Sequence, residues 1–253
     1  RKWAHDYGDK TFFGKTGNFD GEDIIDIILE KRRCAEYICV IVYRYFVNDT
    51  LNESHVGQMT DVFYKDYNLE KLMRFVCSSN WFYDEENIGT KIKSPIEFLV
   101  GIKTLVPIEF NNQKQLMYLQ RLMGKVLLDP PNVAGWKGGQ NWIDSNTIAL
   151  RLKLPSLLLN SSYISKSKKG QTDDKLKERK QFFKKNYGKW FNVENDWGYF
   201  NKHFKNVGIN ELDSHVLACN MSSSAQVYLN SLEKVSKQEY CIQLMSLPEY
   251  QMC

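Results

Sequence analysis

The sequence predicts an all-α fold: an irregular multi-helix domain that carries one long loop rich in proline, glycine and tryptophan. Along much of the 253-residue chain, apolar residues recur at spacings of three and four, which places them on one face of a helix. Several of these segments begin with a residue type that caps helix N-termini. No segment shows sustained alternation of apolar and polar residues, which is the pattern of a half-buried strand.

The first two helices are predicted between residues 20 and 47. Asp20 fits an N-cap, and Asp23 places a second acid in the first turn. The apolar residues behind this cap are Ile24, Ile25, Ile28 and Leu29. In the following segment, the apolar residues that share one helical face are Cys34, Tyr37, Ile38, Ile41, Val42 and Tyr45. We therefore expect two helices that pack together.

Ser94 marks the clearest helix start in the chain. Its side chain can cap the helix, Pro95 fits the first helical position, and Glu97 completes a capping box. These residues predict a helix from about residue 95 to residue 105. The other segments with a helical pattern are 54–66, 69–79, 113–123, 145–159, 173–187, 211–219 and 236–246.

The segment DPPNVAGWKGGQNWIDS, residues 129–145, is predicted to be the long loop. Two prolines stiffen its approach. Its glycines can take positive φ angles, and they are Gly135, Gly138 and Gly139. Trp136 and Trp142 are too large to remain wholly exposed. One interpretation is therefore structural, with two indoles that fasten the loop to the helices.

The other interpretation of the loop is a binding surface. An indole face can stack on a sugar or another ring, while polar side chains, Asp144 among them, supply hydrogen bonds. The candidate binding residues are Asn132, Trp136, Asn141, Trp142 and Arg151. Arg151 is included because a helix that starts at Asp144 or Ser145 places it two turns along, where it can face back toward the loop. Pro155 is predicted to kink or end that helix.

No catalytic motif is present. The nucleophile elbow of serine hydrolases, the P-loop and the glycine fingerprint of dinucleotide sites are all missing from the sequence. His5, Asp6 and Asp144 are the candidates for acid–base chemistry or for ligation of a divalent metal. Asp20 and Asp23 could add further carboxylates near His5 and Asp6, but both are already assigned to helix capping. No cofactor is predicted, and the absence of a CxxC pair argues against zinc.

The positive charge is concentrated in residues 161–189, which hold ten lysines and arginines against three acidic residues. This segment therefore has a net charge of +7, and because the whole chain has a net charge of +4, the remaining residues sum to −3. Such a segment is typical of a solvated helix or loop, so no nucleic-acid partner is predicted, although binding to an anionic polymer or to lipid headgroups stays open. Residues 161–175 are predicted to be a basic linker between a main helical domain, 1–160, and C-terminal helices, 176–253, that pack on it.

No transmembrane segment is predicted, because the longest apolar run, YICVIVY at residues 37–43, is too short to span a bilayer. The chain begins with neither an initiator methionine nor a signal-peptide pattern, which indicates a fragment or a processed product.

Several segments together resemble one bacterial family. They are HDYGDKTFFGKTGNFDGEDIIDIIL, CAEYICVIVYRYFV, KSPIEFLVG, PPNVAGWKGGQNWIDSNTIALRLKL and LMSLPEY. The family is the one called domain of unknown function 1800, whose pattern PPNVxGWxGGxxW the loop matches closely, and the resemblance is to the C-terminal half of its members. It implies a mostly helical fold, an exported protein, and a possible sulfatase-like protein partner, and it implies no reaction.

The leading hypothesis is a non-catalytic binding or accessory module of the bacterial cell envelope or exterior, with a glycan as a ligand of the loop. Export is expected from the resemblance only, to the periplasm, the outer membrane or the medium. The alternative is a hydrolase acting on envelope polysaccharide or a related ester through His5, Asp6 and Asp144. A third hypothesis is a purely structural helical domain, which full burial of both indoles would favour.

Overall fold

The structure, a computed structural model, describes residues 5–160, 193–232 and 236–253. Contacts within the chain divide it into two compact units, Arg1–Ile88 and Gly89–Cys253. The predicted linker at 161–175 and the predicted helix at 173–187 lie outside the described residues. The division into a main domain, 1–160, and C-terminal helices, 176–253, therefore stays a prediction.

The first unit is a helical hairpin stack preceded by a small β-hairpin. Strands β1 (Lys10–Phe12) and β2 (Lys15–Gly17) pair antiparallel, with Lys10 opposite Gly17. The helices that follow are α1 (Gly21–Leu29), α2 (Arg32–Phe46), α3 (Glu53–Phe63) and α4 (Leu69–Ser78). Two 3-10 turns, Asn80–Tyr83 and Glu85–Asn87, complete the unit.

The N-terminus of α1 confirms the predicted cap. The Asp20 side chain accepts from the backbone N–H groups of Glu22 and Asp23, and the Asp23 side chain accepts from the backbone N–H of Asp20. Helices α1 and α2 pack together, as the sequence predicted.

The buried face of α2 differs from the apolar face predicted for it. The core residues are Ala35, Cys39 and Tyr43, whereas Tyr37 and Ile41 of the predicted face are 65% and 50% exposed. Helix α2 is apolar on nearly all sides, so periodicity alone could not select the face that α3 covers. The nine buried residues of this core are Ala35, Cys39, Tyr43, Val47, Val56, Met59, Phe63, Leu72 and Val76.

The second unit contains more helices and a second small sheet. Its helices are α5 (Pro95–Leu105), α6 (Gln113–Leu122), α7 (Ser145–Leu159), α8 (Trp197–His203), α9 (Asp213–Val216), α10 (Ser223–Ser231) and α11 (Lys237–Met245). Strands β3 (Ile108–Phe110) and β4 (Val193–Asn195) pair antiparallel. Two 3-10 turns lie at Gly139–Trp142 and Glu249–Gln251.

Helix α5 forms the predicted capping box and contributes Phe98 and Ile102 to the core. Helix α7 runs through Pro155 to Leu159, which confirms the predicted helix at 145–159; of the two effects predicted for Pro155, a kink or an end of the helix, the end is excluded. Pro155 is buried inside the helix, as are Leu154 and Leu158.

The end of the chain pairs with the segment before α5. Lys91 and Cys253 exchange backbone hydrogen bonds of 3.2 and 2.8 Å, and the Lys93 N–H donates to the carbonyl of Gln251 at 2.7 Å. Tyr250 and Gln251 are both 1% exposed. The last residues are therefore an integral part of the second unit.

These elements confirm a mostly helical fold. The two sheets escaped prediction because each of their strands is only three residues long, too short for alternation to show. Among the described residues, no helix has both the length and the apolar character needed to cross a membrane.

Candidate functional site: the tryptophan and glycine loop

The loop begins at a Schellman motif that ends α6. Gly124 has φ +84°, and its N–H donates to the Arg121 carbonyl, while the Lys125 N–H donates to the Gln120 carbonyl at 3.0 Å. The buried Gln120 side chain also accepts from the backbone N–H of Leu127 at 2.9 Å. These bonds fix the backbone from which the Lys125 side chain leaves.

The Lys125 ammonium lies over both indoles of the loop. Its Nζ atom is 5.3 Å from the ring centroid of Trp136 and 5.4 Å from that of Trp142. Both distances are within the range of a cation–π interaction. The lysine therefore links the two tryptophans.

The two indoles differ in exposure. Trp142 is 8% exposed, whereas Trp136 is half-buried. Gly139 has φ +60° and begins the 3-10 turn that carries Trp142 into the protein. Gly135 has φ +78° and precedes Trp136, while Gly138 has φ −90° and does not take the positive φ that its residue type permits. Trp142 thus anchors the loop, and Trp136 keeps part of its surface in contact with solvent.

Two exposed asparagines brace the loop and keep free hydrogen-bonding capacity. The Asn132 Oδ1 atom accepts from the Ala134 N–H at 2.9 Å, and the Asn141 Nδ2 group donates to the Gly138 carbonyl at 2.9 Å. In the described part of the chain, the Asn132 amide NH₂ and the Asn141 side-chain oxygen have no partner. One donor and one acceptor therefore remain for a ligand.

Asp144 caps α7, where the loop ends. Its Oδ1 atom accepts from the backbone N–H groups of Asn146 and Thr147, both at 2.8 Å, and the Thr147 hydroxyl accepts from the Asp144 N–H. The hydrogen bonds from Thr147 and Asn146 lower the pKa of Asp144. The carboxylate is therefore ionised at neutral pH, and its first role is to hold the helix end.

The Glu97 carboxylate interacts electrostatically with the Lys125 ammonium. Desolvation raises the pKa of Glu97, but hydrogen bonds from Ser94 and the charges of Lys91 and Lys125 outweigh it, so the pKa is lowered. One carboxylate oxygen accepts from the Ser94 N–H at 2.6 Å in the capping box. Glu97 and Lys125 do not form a close ion pair, so this carboxylate does not neutralise the ammonium by direct contact.

Arg151 lies in the interior and not on the loop surface. It is 0% exposed, its Nε–H donates to Oε1 of Gln251 at 2.9 Å, its Nη2 group donates to the carbonyl of Lys93, and its guanidinium packs 5.0 Å from the ring centroid of Phe98. Burial lowers the pKa of Arg151 to about 10, which leaves it charged at neutral pH, and Glu97 partly offsets this effect. A direct contact with a surface ligand would require Arg151 to leave these partners.

His5 and Asp6 belong to the first unit, while Asp144 belongs to the second. The His5 ring packs edge-on against Tyr7 at 4.8 Å, and the Asp6 carboxylate accepts from the Gly8 N–H at 2.9 Å. Both residues thus have local contacts of their own. Within the described residues, no group of three histidine, cysteine, aspartate or glutamate side chains is arranged to hold a metal ion.

Sequence reasoning missed Lys125 as a site residue. Lysine is common after a helix C-terminus, and nothing in the spacing GKVLLDPPN marks this one as the neighbour of two indoles eleven and seventeen residues later. The signal that was available is the Gly124–Lys125 pair itself, since a glycine behind a predicted helix indicates a Schellman turn.

The loop is also the most specific of the segments that carry the resemblance to a known family. No curated protein and no solved structure matches the chain. The model of the family described as protein of unknown function (DUF1800) matches residues 1–252, essentially the whole chain, and the chain belongs to that family.

Proposed function

We propose that this protein is a non-catalytic binding or accessory module of the bacterial cell envelope or exterior, and that its loop, residues 129–145, binds a saccharide. The observation that carries the proposal is the contrast between the two indoles. Trp142 is buried and fixes the loop, while Trp136 keeps an accessible surface beside it. A loop fixed by one indole and presenting another is suited to binding.

The geometry supports a preformed surface. The loop is bounded by the Schellman motif at Gly124 and by the Asp144 cap of α7, and Lys125 contacts both indoles. A surface that is already ordered loses little conformational entropy when a ligand binds. Order at both ends therefore favours recognition by the loop as it stands.

The chemistry of the surface suits a sugar ring. An indole offers a flat apolar face, and the Asn132 amide NH₂ and the Asn141 side-chain oxygen offer a donor and an acceptor for hydroxyl groups. Leu128, the residue directly before the loop, has φ +64° and is 90% exposed, so it adds apolar surface where the loop begins. A positive φ is unfavourable for leucine, and the exposed side chain gains little from packing. Both features support a binding role at the start of the loop over a purely packing role.

Export and a sulfatase-like protein partner belong to this proposal through the family. Co-purification of the protein from a native host, followed by identification of the bound proteins, tests the partner. A sulfatase-like protein retained by the wild-type chain and lost in a folded Trp136→Ala variant would support a role of the loop in that association.

Binding to a panel of bacterial and plant polysaccharides tests the ligand. We expect Trp136→Ala to abolish binding while the variant stays folded, because it removes only the half-buried indole. Tyr228→Ala is the control, since Tyr228 is an exposed aromatic residue of the same unit outside the loop. Unchanged binding by a folded Trp136→Ala variant would show that the loop is not the saccharide-binding site.

A further inference from the structure

The Lys125 ammonium has unused hydrogen-bond donors. A lysine ammonium carries three N–H donors. The contacts of Nζ within the described residues are the two indoles, and it has no hydrogen-bond acceptor and no ion pair there. Lys125 is half-buried, and its Nζ atom is not enclosed, so the donors that do not face an indole face solvent.

The two cation–π contacts also hold this charge in place. A free lysine side chain loses conformational entropy when it pairs with an anion, and this loss is a main reason why surface ion pairs contribute little. Contacts with Trp136 and Trp142, together with the Schellman motif beneath, reduce that loss for Lys125. An anion at this position therefore gains more than an anion beside an ordinary surface lysine.

Two acidic side chains of this unit, Glu97 and Asp144, are already engaged in capping helices. The Asp144 carboxylate accepts two backbone N–H groups, and Glu97 accepts the Ser94 N–H. The loop itself adds a second lysine, Lys137, which is exposed and has no ion pair in the described part of the chain. The surface around Trp136 thus presents unpaired positive charge beside an aromatic face.

We propose that the loop selects an anionic saccharide, whose ring stacks on Trp136 and whose carboxylate or sulfate group pairs with the Lys125 ammonium. This inference rests on the proposed function and names the substrate class of the same site. Uronic acids and sulfated sugars share the required chemistry, which is a ring with a fixed negative charge.

Calorimetry with matched oligosaccharides tests the inference. Oligogalacturonate and its methyl ester share the same sugar rings, and esterification replaces the carboxylate charge with a neutral methyl ester. Sulfated and unsulfated oligosaccharides of one galactan form the second pair. We expect the wild-type protein to bind one of the anionic members about tenfold more tightly than its neutral match, as for a hydrogen bond to a charged group. The pair that shows this preference identifies the anionic group as carboxylate or sulfate.

Variants assign the preference to one residue. Lys125→Met keeps the length and apolar stem of the side chain, and it should lose the tenfold preference while its affinity for the neutral match changes little. Lys125→Arg should restore most of the preference. Lys114→Met, on an exposed residue of α6, is the control and should bind like the wild type.

Different results would contradict the preference for an anionic saccharide and the proposed saccharide binding. Equal wild-type affinity for the charged and neutral members of both pairs overturns the inference, even if Lys125→Met does not fold, and the proposed function stands as long as Trp136→Ala loses binding. A preference that Lys125→Met retains in full also overturns it. If no member of either pair binds and no polysaccharide in the panel binds, the proposed function falls and the inference falls with it.

Discussion

The Nε–H group of Arg151 donates a hydrogen bond of 2.9 Å to Oε1 of Gln251, one hundred residues further along the chain. Its Nη2 group donates to the carbonyl of Lys93, so one guanidinium joins α7 to both of the segments that pair at the end of the chain. Arg151 Nη1 and Gln251 Nε2 have no hydrogen-bond partner among the described residues. The connection is therefore buried and only partly satisfied.

Arg151→Met should destabilise the protein by roughly 2–4 kcal/mol, because it leaves the Gln251 side-chain oxygen and the Lys93 carbonyl buried without a donor. Urea unfolding measures this change. Arg121→Met, on the exposed face of α6, should change the free energy of unfolding by less than about 0.5 kcal/mol. Equal effects of the two substitutions would show that the buried hydrogen bonds contribute nothing.

Gly89→Ala should destabilise the second unit by at least about 2 kcal/mol. Gly89 has φ +66°, and an added Cβ would lie 2.3 Å from the Cβ of Cys219, so backbone strain and steric overlap add together. Gly124 has φ +84° with nothing within 4 Å of its added Cβ, so Gly124→Ala should cost only about 1 kcal/mol. Urea unfolding of both variants makes the comparison.

A second substitution separates overlap from strain. Cys219→Gly removes the atom that the new methyl group meets, and it should recover part of the stability lost in Gly89→Ala. If the double variant is no more stable than Gly89→Ala, steric overlap with Cys219 is not the cause.

The Cys241 thiol should make the protein less stable at alkaline pH. Cys241 is 0% exposed, and burial raises the pKa of its thiol from 9.0 to about 12. A raised folded-state pKa gives stability that is complete below pH 9 and is lost as the pH rises toward 12. Between pH 8 and pH 10.5 this single group should lower the free energy of unfolding by about 2 kcal/mol.

The comparison of variants isolates this thiol from other titrating groups. Cys241→Ala should be less stable at pH 8 but should lose about 2 kcal/mol less than the wild type on going to pH 10.5. Cys77→Ala, at an exposed cysteine, should keep the wild-type pH dependence. The interpretation is wrong if Cys241→Ala and the wild type lose equal stability over this range.

The two loop tryptophans should differ in their effect on stability. Trp142→Ala removes a side chain that is 8% exposed, and it should cost roughly 3–5 kcal/mol. Trp136→Ala should cost clearly less, because its indole is half-buried. Thermal unfolding of both variants measures the difference, and a larger cost for Trp136→Ala would reverse the roles assigned to the two indoles.

The parts of the fold that were predictable are those determined by neighbouring residues. Asp20, Ser94 and Asp144 cap their helices through side chains that reach backbone N–H groups two or three residues away, and their residue types are visible in the sequence. The family also followed from contiguous segments, of which the loop pattern is the most specific, and the family match over residues 1–252 confirms it.

The parts that were not predictable depend on residues far apart in the chain. Arg151 is buried because Lys93 and Gln251, 58 and 100 residues away, provide its acceptors. The exposed side of α2 at Tyr37 depends on where α3 packs. Lys125 lies beside the two indoles because a Schellman motif reverses the chain direction after α6. The spacing of residues in the sequence does not show which side chains meet after such a reversal.

Trp136 should contact the ligand, and Trp142 should support the loop without contacting it. Labelling the protein with 5-fluorotryptophan gives six tryptophan signals in ¹⁹F NMR, which single Trp→Phe variants assign. On titration with the oligosaccharide that calorimetry identifies, we predict that the Trp136 signal shifts most and that the Trp81 and Trp197 signals stay unchanged. A bound oligosaccharide that leaves the Trp136 signal in place would contradict the account.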